Sequence, residues 1–435
     1  MKKIIVAGAG HGGITAAYHL ARAGYDVTVY EKNEIEALGH DWHDYMDMSA
    51  FDDSGLPRPD ESKYQPAARQ AFRNPKGTVK IEIAYNDIAR VMDRKVLCSY
   101  IISLAAEAGV KFVSGAEIRG VTFDNRRITG LKAVIGGAEE EISADLVIDA
   151  AGMYSAVRKS LPAFCDVQRD FPEEDIFHVY RAYHKNNEKI SLEPAYVMDL
   201  FHMNRPGLSW TIFEEDYTDI LLGKFGAAGP LTKQEITAAL ESYKKDYPFI
   251  TDEIVRGGQC RDIPLSKMLP LIVANGYAAV GDSAGMTIPL NGSGINLSMN
   301  AGKILADTII ESNGGCDKKD LWKYQYTYFQ TLGKDLVLVN KIKNFFTYVD
   351  SSLVDYFLEA DILSAELLAC GDGDINIPAK QILHIISKAA PIVPLMPKAV
   401  KNFRSLLRLP SLIKDMPREY DEAKVDGWVK AYKTI

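Results

Sequence analysis

The sequence predicts an α/β fold that carries an inserted α+β lobe and ends in a helical C-terminal region. Three observations predict it. An apolar strand, a glycine turn, a helix and a second strand follow one another between Ile4 and Glu31. Short alternating runs of strand type occupy positions 174–225. Far downstream a second apolar strand ends in Gly281-Asp282 and leads through another glycine turn into a helix. The chain thus leaves one α/β unit, builds a second lobe and returns to the first.

The opening unit is the most specific element. Ile4-Ile5-Val6 reads as a β run, Ile14 to Ala23 as a helix with Ala17 and Leu20 on one face, and Val27 to Glu31 as the second strand. Between them stands Gly8-Ala9-Gly10-His11-Gly12-Gly13. Gly8 permits the tight turn, Gly10 lets the backbone approach a pyrophosphate, and Gly13 lets helix and strand pack closely. The free N–H groups of the helix N-terminus, with Gly12 beside them, then face negative charge. His11 borders this phosphate-binding turn. Glu31 follows about twenty positions after the glycines, where an acidic residue accepts from a ribose hydroxyl and disfavours a 2′-phosphate. Lys32 beside it completes this part of the expected cofactor set.

The return segment selects the cofactor. Gly276 to Asp282 reads as a buried strand ending in Gly281-Asp282, whose carboxylate can accept from a ribityl chain. Pro289 and the turn Gly292-Ser293-Gly294 lead into a helix from Ile295 to Ile309, beginning Ile295-Asn296. Its N-terminal N–H groups would meet the flavin pyrimidine edge, where reduced flavin carries negative charge. The expected cofactor is FAD, held non-covalently. Glycine-capped strand–turn–helix units also occur without a ligand; here the two halves support each other.

Composition sets bounds. The 435 residues suffice for two or three lobes with sizeable cores. A net charge of −8 argues against a nucleic-acid partner, which needs a basic face. The five cysteines (98, 165, 260, 316, 370) form no CxxC or Cys/His cluster, so neither a disulfide framework nor a zinc site is expected. This usage suits a reducing compartment, and a cytoplasmic location is expected. The first apolar run is too short for a signal peptide, and no stretch is apolar enough to span a bilayer.

These motifs resemble the FAD-dependent oxidoreductases with the p-hydroxybenzoate hydroxylase fold, and among them the geranylgeranyl reductase-like family. The resemblance runs over most of the chain. Asp93-Arg94-Lys95-Val96-Leu97 is similar to the family's helix start whose arginine touches the cofactor, which implies that role for Arg94; the family's following Asp is replaced in the neighbourhood of Leu97 and Cys98. The block Ala144 to Arg158 resembles a second family block, with Gly152, Ser155 and Arg158 matching and Ala151 standing for an Asp. In related hydroxylases that Asp helps handle NADPH, so a simple NADPH-dependent hydroxylase is disfavoured. Gly207 to Glu214 resembles a strand lining a lipid-substrate cavity, which implies substrate contact for Trp210 and Phe213; Leu208 and Glu214 depart from it. On the residues alone, Trp210 and Phe213 are equally well read as sheet core.

The family's Cys-Gly motif is missing, and in its neighbourhood stands Gly39-His40-Asp41-Trp42-His43-Asp44-Tyr45-Met46-Asp47. His40, Asp41 and His43 are candidate catalytic residues, because hydride on one alkene carbon must be matched by a proton on the other. His40, His43, Asp44 and Asp47 also offer metal-ligand atoms, but their spacing fits no template, and no metal is expected. The bland alternative is a polar turn.

The expected organisation is a FAD-binding domain over 1–165, a substrate domain over 166–264, a return segment of the FAD domain over 265–315 and a helical region over 316–435. Thr232 to Tyr247 reads as a helix with a capping box to Glu235, and Asp52 to Lys76, rich in Pro and charge, as a surface loop or lid. In the helical region Tyr324, Tyr328, Leu332, Leu336 and Val339 are expected in core. Lys398, Lys401, Arg404 and Arg408 flank Val400, Phe403 and Leu407, which suits peripheral membrane contact, a lid, or a packed helix with a solvated face.

The resemblance implies reduction of a carbon–carbon double bond in an apolar, isoprenoid-type small molecule. With no second glycine fingerprint, electrons are expected from transiently bound NAD(P)H or from a small redox protein. The alternatives are a flavin monooxygenase of the same fold and a non-catalytic flavoprotein acting as redox sensor or electron carrier. The halogenase branch is disfavoured, since its Trp-x-Trp motif and site lysine are absent.

Overall fold

The computed structural model describes residues 2–83, 89–365, 368, 384, 387–388 and 390–435. Cys370 lies outside the described residues, as does part of the C-terminal region between 366 and 389.

A six-stranded sheet forms the first layer, in the order Val273–Ala274, Tyr277–Ala279, Leu146–Asp149, Lys3–Ala7, Asp26–Tyr30, Lys111–Val113. Its central strands pair in parallel, Val6 with Val29 on one side and with Ile148 on the other. Ile4, Ile5, Val6 and Ala7 are fully buried, as continuous apolar runs in a parallel sheet require. The first helix, His11–Arg22, and the return helix, Ile295–Glu311, pack together on this sheet. Their approach depends on two glycines: a Cβ on Gly302 would stand 2.2 Å from the carbonyl oxygen of Gly12. The first helix begins at His11 rather than Ile14, because the glycines of the turn are themselves its first residues.

The second lobe is a seven-stranded sheet, in the order Ile250–Pro264, Ile176–Asn186, Tyr217–Phe225, Leu208–Phe213, Tyr196–Leu200, Gln70–Arg73, Lys80–Ile83. The antiparallel runs expected over 174–225 are its centre. The helix Lys233–Asp246, capped by Thr232 and Glu235 as the sequence indicates, packs on one face through Ala239 and Tyr243. The other face carries Val179, Met198, Ile212 and Leu221 and meets Val354 and Leu358 of the helix Ser351–Glu359.

The reading of Asp52–Lys76 as a loop needs correction. Tyr64–Pro66 pairs with Ala89–Asp93, and Gln70–Arg73 joins the large sheet in parallel with Tyr196–Asp199. These strands are short and lie among prolines and charges, and for Gln70–Arg73 a partner over 120 residues away in sequence supplies a ladder that local pattern does not reveal. The second lobe therefore draws on residues before 84 as well as on 166–264. His43–Asp47 is likewise a strand, paired with Ala89–Asp93.

Beyond 316 the expected aromatic stripe is core. Tyr324 and Tyr328 are fully buried, and Phe329 packs against Trp428 and Tyr432 of the last helix, Glu422–Lys433. Among the described residues no helix is long and apolar enough to cross a membrane.

Candidate active site

The glycine turn forms a cradle too narrow for side chains. Gly8 sits at φ +86°, and a Cβ on it would lie 2.7 Å from the Ala150 carbonyl oxygen. A Cβ on Gly10 would lie 2.9 Å from the same oxygen, one on Gly12 2.5 Å from the Ser298 carbonyl oxygen, and one on Gly13 2.5 Å from Ala150 Cβ. The helix that follows has no side-chain cap and no acidic residue in its first turn, so its leading N–H groups remain available to an anion. Glu31 is buried; it accepts from the Ala9 N–H at 3.0 Å and from Asn33 N and Nδ2 at 3.0 and 2.9 Å. It braces the turn in addition to standing where a ribose would come. Lys32 is exposed beside it.

The return segment brings a second open helix start to the same place. The helix Ile295–Glu311 begins after Gly294 without a side-chain cap or an acidic first turn. Asn296 Nδ2 donates to the Asp47 carbonyl oxygen at 3.4 Å, which ties this helix start to the His43–Asp47 strand. Gly281 and Gly292 adopt φ +69° and +77°, and Pro289 is buried between them. Asp282 is half-buried, and its carboxylate has no hydrogen-bond partner among the described residues. Burial pushes its carboxyl up, against the pull of Arg94 and Arg158. An unpartnered carboxylate over a glycine cradle, between two open helix starts, fits the ribityl and pyrophosphate of FAD.

Asp149 organises this region, a role the sequence did not reveal. Fully buried, it accepts from Ser155 Oγ at 2.7 Å, Ser283 Oγ at 3.0 Å, Tyr277 OH at 3.1 Å and Ala151 N at 3.1 Å. Ser283 in turn receives the Gly152 N–H at 2.9 Å. Arg158, also fully buried, donates to the Ser283 carbonyl at 2.6 Å and to the Arg169 carbonyl at 3.0 Å. Gly152, Ser155 and Arg158 thus hold the turn that bears Asp282.

Arg94 starts the helix Arg94–Glu107 and is hydrogen-bonded to Asp44. Burial works against charge on Asp44, but Arg94 and then Arg181 hold its carboxyl below the ordinary range. Arg181 is the largest omission of the sequence reading. It is buried on the inner face of the large sheet, bonded to Asp219 at 2.6 and 3.0 Å, and its guanidinium lies 5.5 Å from the rings of both Trp42 and Trp210. The only available signal was a lone arginine inside the apolar strand Ile176–Asn186. Cys98 was noted only as a departure from a motif; its Sγ lies 3.8 Å from His11 Nε2, and burial pushes its thiol up to about 11.

The structure does not bring Trp210 and Phe213 together. Three residues apart on one strand, they point to opposite faces. Trp210 faces the inner side, edge-on to Tyr196 at 6.0 Å, and its indole N–H has no partner among the described residues. Phe213 packs against Tyr247 at 4.7 Å on the outer side, so it does not share a cavity with Trp210.

The His/Asp cluster is an ion-pair network joining the two lobes. Arg256 of the strand Ile250–Pro264 donates to Asp93 at 2.7 Å, to Asp41 at 3.2 Å and to His43 Nε2 at 3.1 Å, while Lys95 donates to Asp41 at 2.9 Å. The Lys95 bond and Arg256 hold the Asp41 carboxyl below its usual range. His40 stacks on Trp42 at 4.3 Å, and burial followed by Arg94 lowers its imidazole to about 4. Burial and Arg256 also lower His43. At neutral pH both imidazoles are therefore uncharged and Asp41 is ionised. No group of three or more potential metal ligands occurs among the described residues.

A pH dependence follows. His11 and His40 titrate near 3 and 4 in the fold but near 6.5 when unfolded. Between these values the unfolded chain binds more protons, so stability falls as pH drops from about 6.5 toward 4. The thermal midpoint should decline over that window, and less steeply in His40→Gln. An equal slope in that variant would show that His40 is not the buried neutral group described.

Comparison with known proteins agrees with this geometry. Residues 1–192 match the family model described as an FAD binding domain. The chain is 25% identical over 393 residues to digeranylgeranylglycerophospholipid reductase 2 of Methanococcoides burtonii, covering 88% of this chain and 91% of that one. It is 22% identical to digeranylgeranylglycerophospholipid reductase of Sulfolobus acidocaldarius, over 96% of both chains. In structure it is similar to a geranylgeranyl bacteriochlorophyll reductase-like protein of Thermoplasma acidophilum, with a TM-score of 0.74, 21% identity and coverage of 93% and 99%. A flavin-dependent brominase shares the fold at a TM-score of 0.62 and 16% identity, covering 89% and 98%. The chain is an FAD-dependent oxidoreductase with the p-hydroxybenzoate hydroxylase fold, similar over most of its length to reductases of the geranylgeranyl type.

Proposed function

We propose that the enzyme reduces carbon–carbon double bonds of an apolar, isoprenoid-type substrate. The observation that carries this reading is the inner face of the large sheet. Trp210, Tyr196, Met198, Ile212 and Leu221 form an apolar wall there, and the charge of Arg181, beside Trp210, is neutralised by its partner Asp219. The wall connects to the cofactor cradle through Arg181, Asp44 and Arg94. The names of the reductase relatives support the same substrate class.

FAD held there would supply the hydride for one carbon of the double bond, and a proton would be needed at the other. The residues do the rest. The glycine cradle, the two helix starts and Asp282 would hold the cofactor, and the apolar wall would orient the alkene and exclude water from it. Because burial disfavours the imidazolium form of His40 and His43, and Lys95 and Arg256 keep Asp41 ionised, the proton is assigned to water. His40→Gln, Asp41→Asn and His43→Gln should accordingly each slow single-turnover oxidation of reduced enzyme by less than about tenfold, below the usual contribution of a positioned acid. A larger loss in His40→Gln, with flavin retained, would restore His40 as the proton source. Electron supply is assigned to transient NAD(P)H or a small redox protein.

The test is anaerobic mixing of chemically reduced holoenzyme with polyprenyl alcohols and prenylated lipids. Flavin reoxidation with a gain of two hydrogens per double bond is expected. Oxygenated product in air would favour the monooxygenase alternative, and no reoxidation by any prenyl compound would sink the reading. Trp210→Ala should lower turnover by at least about tenfold while flavin content stays near wild type; an equal loss of both would assign Trp210 to folding instead. A substrate of this class resides in lipid, and the C-terminal helices are the part proposed to meet it.

A further inference from the structure

We infer that residues 390–414 form a docking surface for an anionic lipid bilayer, on which the enzyme lies without crossing it. The inference extends the reading of a lipid-borne substrate and rests on it for its purpose, but the surface chemistry stands by itself. The helix Met396–Arg404 continues through the turn Ser405–Arg408 into the helix Leu409–Asp415. One side is anchored: Asn402 Nδ2 donates to the Lys341 carbonyl at 2.7 Å, the Phe403 ring lies 5.9 Å from Phe345, and Leu406 packs against the main core. Beside these contacts Val393, Met396, Val400 and Leu407 are exposed by 61%, 45%, 53% and 81%. The i, i+4 and i, i+7 spacing of Met396, Val400 and Leu407 aligns these side chains as one stripe.

Scattered exposed apolar residues are ordinary, but three aligned on an anchored element, with Val393 next to them, mark an interaction surface. Its charge identifies the occupant. Between positions 390 and 414 there is no Asp or Glu, while Lys398, Lys401, Arg404, Arg408 and Lys414 are present, in a chain of net charge −8. None of Lys398, Lys401, Arg404 and Arg408 has an ion-pair partner among the described residues. Apolar side chains beside unpaired cations match the boundary of an anionic bilayer, where the first enter the acyl region and the second meet headgroup phosphates. A second copy of the chain fits less well, because a twofold contact through this surface would set the same cations against each other.

The experiment is cosedimentation of holoenzyme with vesicles of phosphatidylcholine alone and of phosphatidylcholine mixed equally with phosphatidylglycerol. Binding to the mixed vesicles should exceed binding to the neutral ones by at least about tenfold and weaken with salt, since each cation near the surface contributes roughly fivefold. Val400→Glu with Leu407→Glu, and separately Lys401→Glu with Arg404→Glu, should each reduce that binding at least about tenfold. Flavin content and turnover of detergent-dispersed substrate should stay unchanged in both. Wild type that ignores the mixed vesicles, or variants that bind as wild type does, would overturn the inference. So would a wild-type dimer that Leu407→Glu dissociates, which would reassign the surface to contact between copies. No substrate is present in the vesicle assay, so its failure leaves the proposed reaction standing, and failure of the reaction leaves the docking result standing.

Discussion

Gly10→Val is expected to yield a folded protein nearly devoid of flavin. The position has ordinary extended backbone angles, φ −67° and ψ 153°, so the effect is one of space rather than of backbone strain. A Cβ there would already stand 2.9 Å from the Ala150 carbonyl oxygen, which belongs to the turn after a central strand and has little room to retreat. The two further methyl groups of valine would occupy the side on which the pyrophosphate must approach the helix start. Asp282→Ala provides the milder counterpart. It removes one charged acceptor from the far end of the cradle, worth about 1.5–3 kcal/mol, or roughly tenfold to a hundredfold in FAD affinity. Flavin absorbance after gel filtration, with the thermal midpoint of the apoprotein as a control for folding, measures both. Full flavin occupancy in both variants would refute the two-part cofactor assignment.

Arg181→Met is expected to be the most destabilising single change on the inner face of the substrate lobe. Its carboxylate partner Asp219 is 2% exposed. Removing the arginine leaves that charge buried without its guanidinium partner, at a cost of about 3–5 kcal/mol. Arg181→Met combined with Asp219→Leu should recover most of the loss, because two apolar groups of similar volume leave no charge to desolvate. Denaturant unfolding of the three proteins tests this. A single variant within about 1 kcal/mol of wild type, or a double variant no better than the single, would show that the pair does not carry the buried charge as described. The double variant should also keep its flavin, since neither residue touches the cradle, but it should lose substrate discrimination with the cation gone from between Trp42 and Trp210.

The buried pair also illustrates where local sequence stops being informative. The cofactor half was legible because each requirement is local: a turn without Cβ atoms, a helix start without acid, a carboxylate at the end of the next strand. Gly8, Gly10, Gly12, Gly13 and Glu31 meet them within one supersecondary unit, and the Gly281-Asp282 and Gly292–Asn296 turns meet them again. The opposite facing of Trp210 and Phe213 follows from the alternation of a strand, yet the motif they resemble implies one shared role for both. What tertiary structure alone decided is the company each polar group keeps. His40 and Asp41 look like an acid and its neighbour until burial, Arg94, Lys95 and Arg256 set their charges, and Arg256 lies more than 200 residues away in sequence. Asp149 becomes a hub because Tyr277 and Ser283 return to it, and Gln70–Arg73 becomes a strand because Tyr196–Asp199 lies alongside. Glycine turns are dictated by steric limits within a few residues, whereas charge state and strand pairing depend on neighbours that only folding supplies.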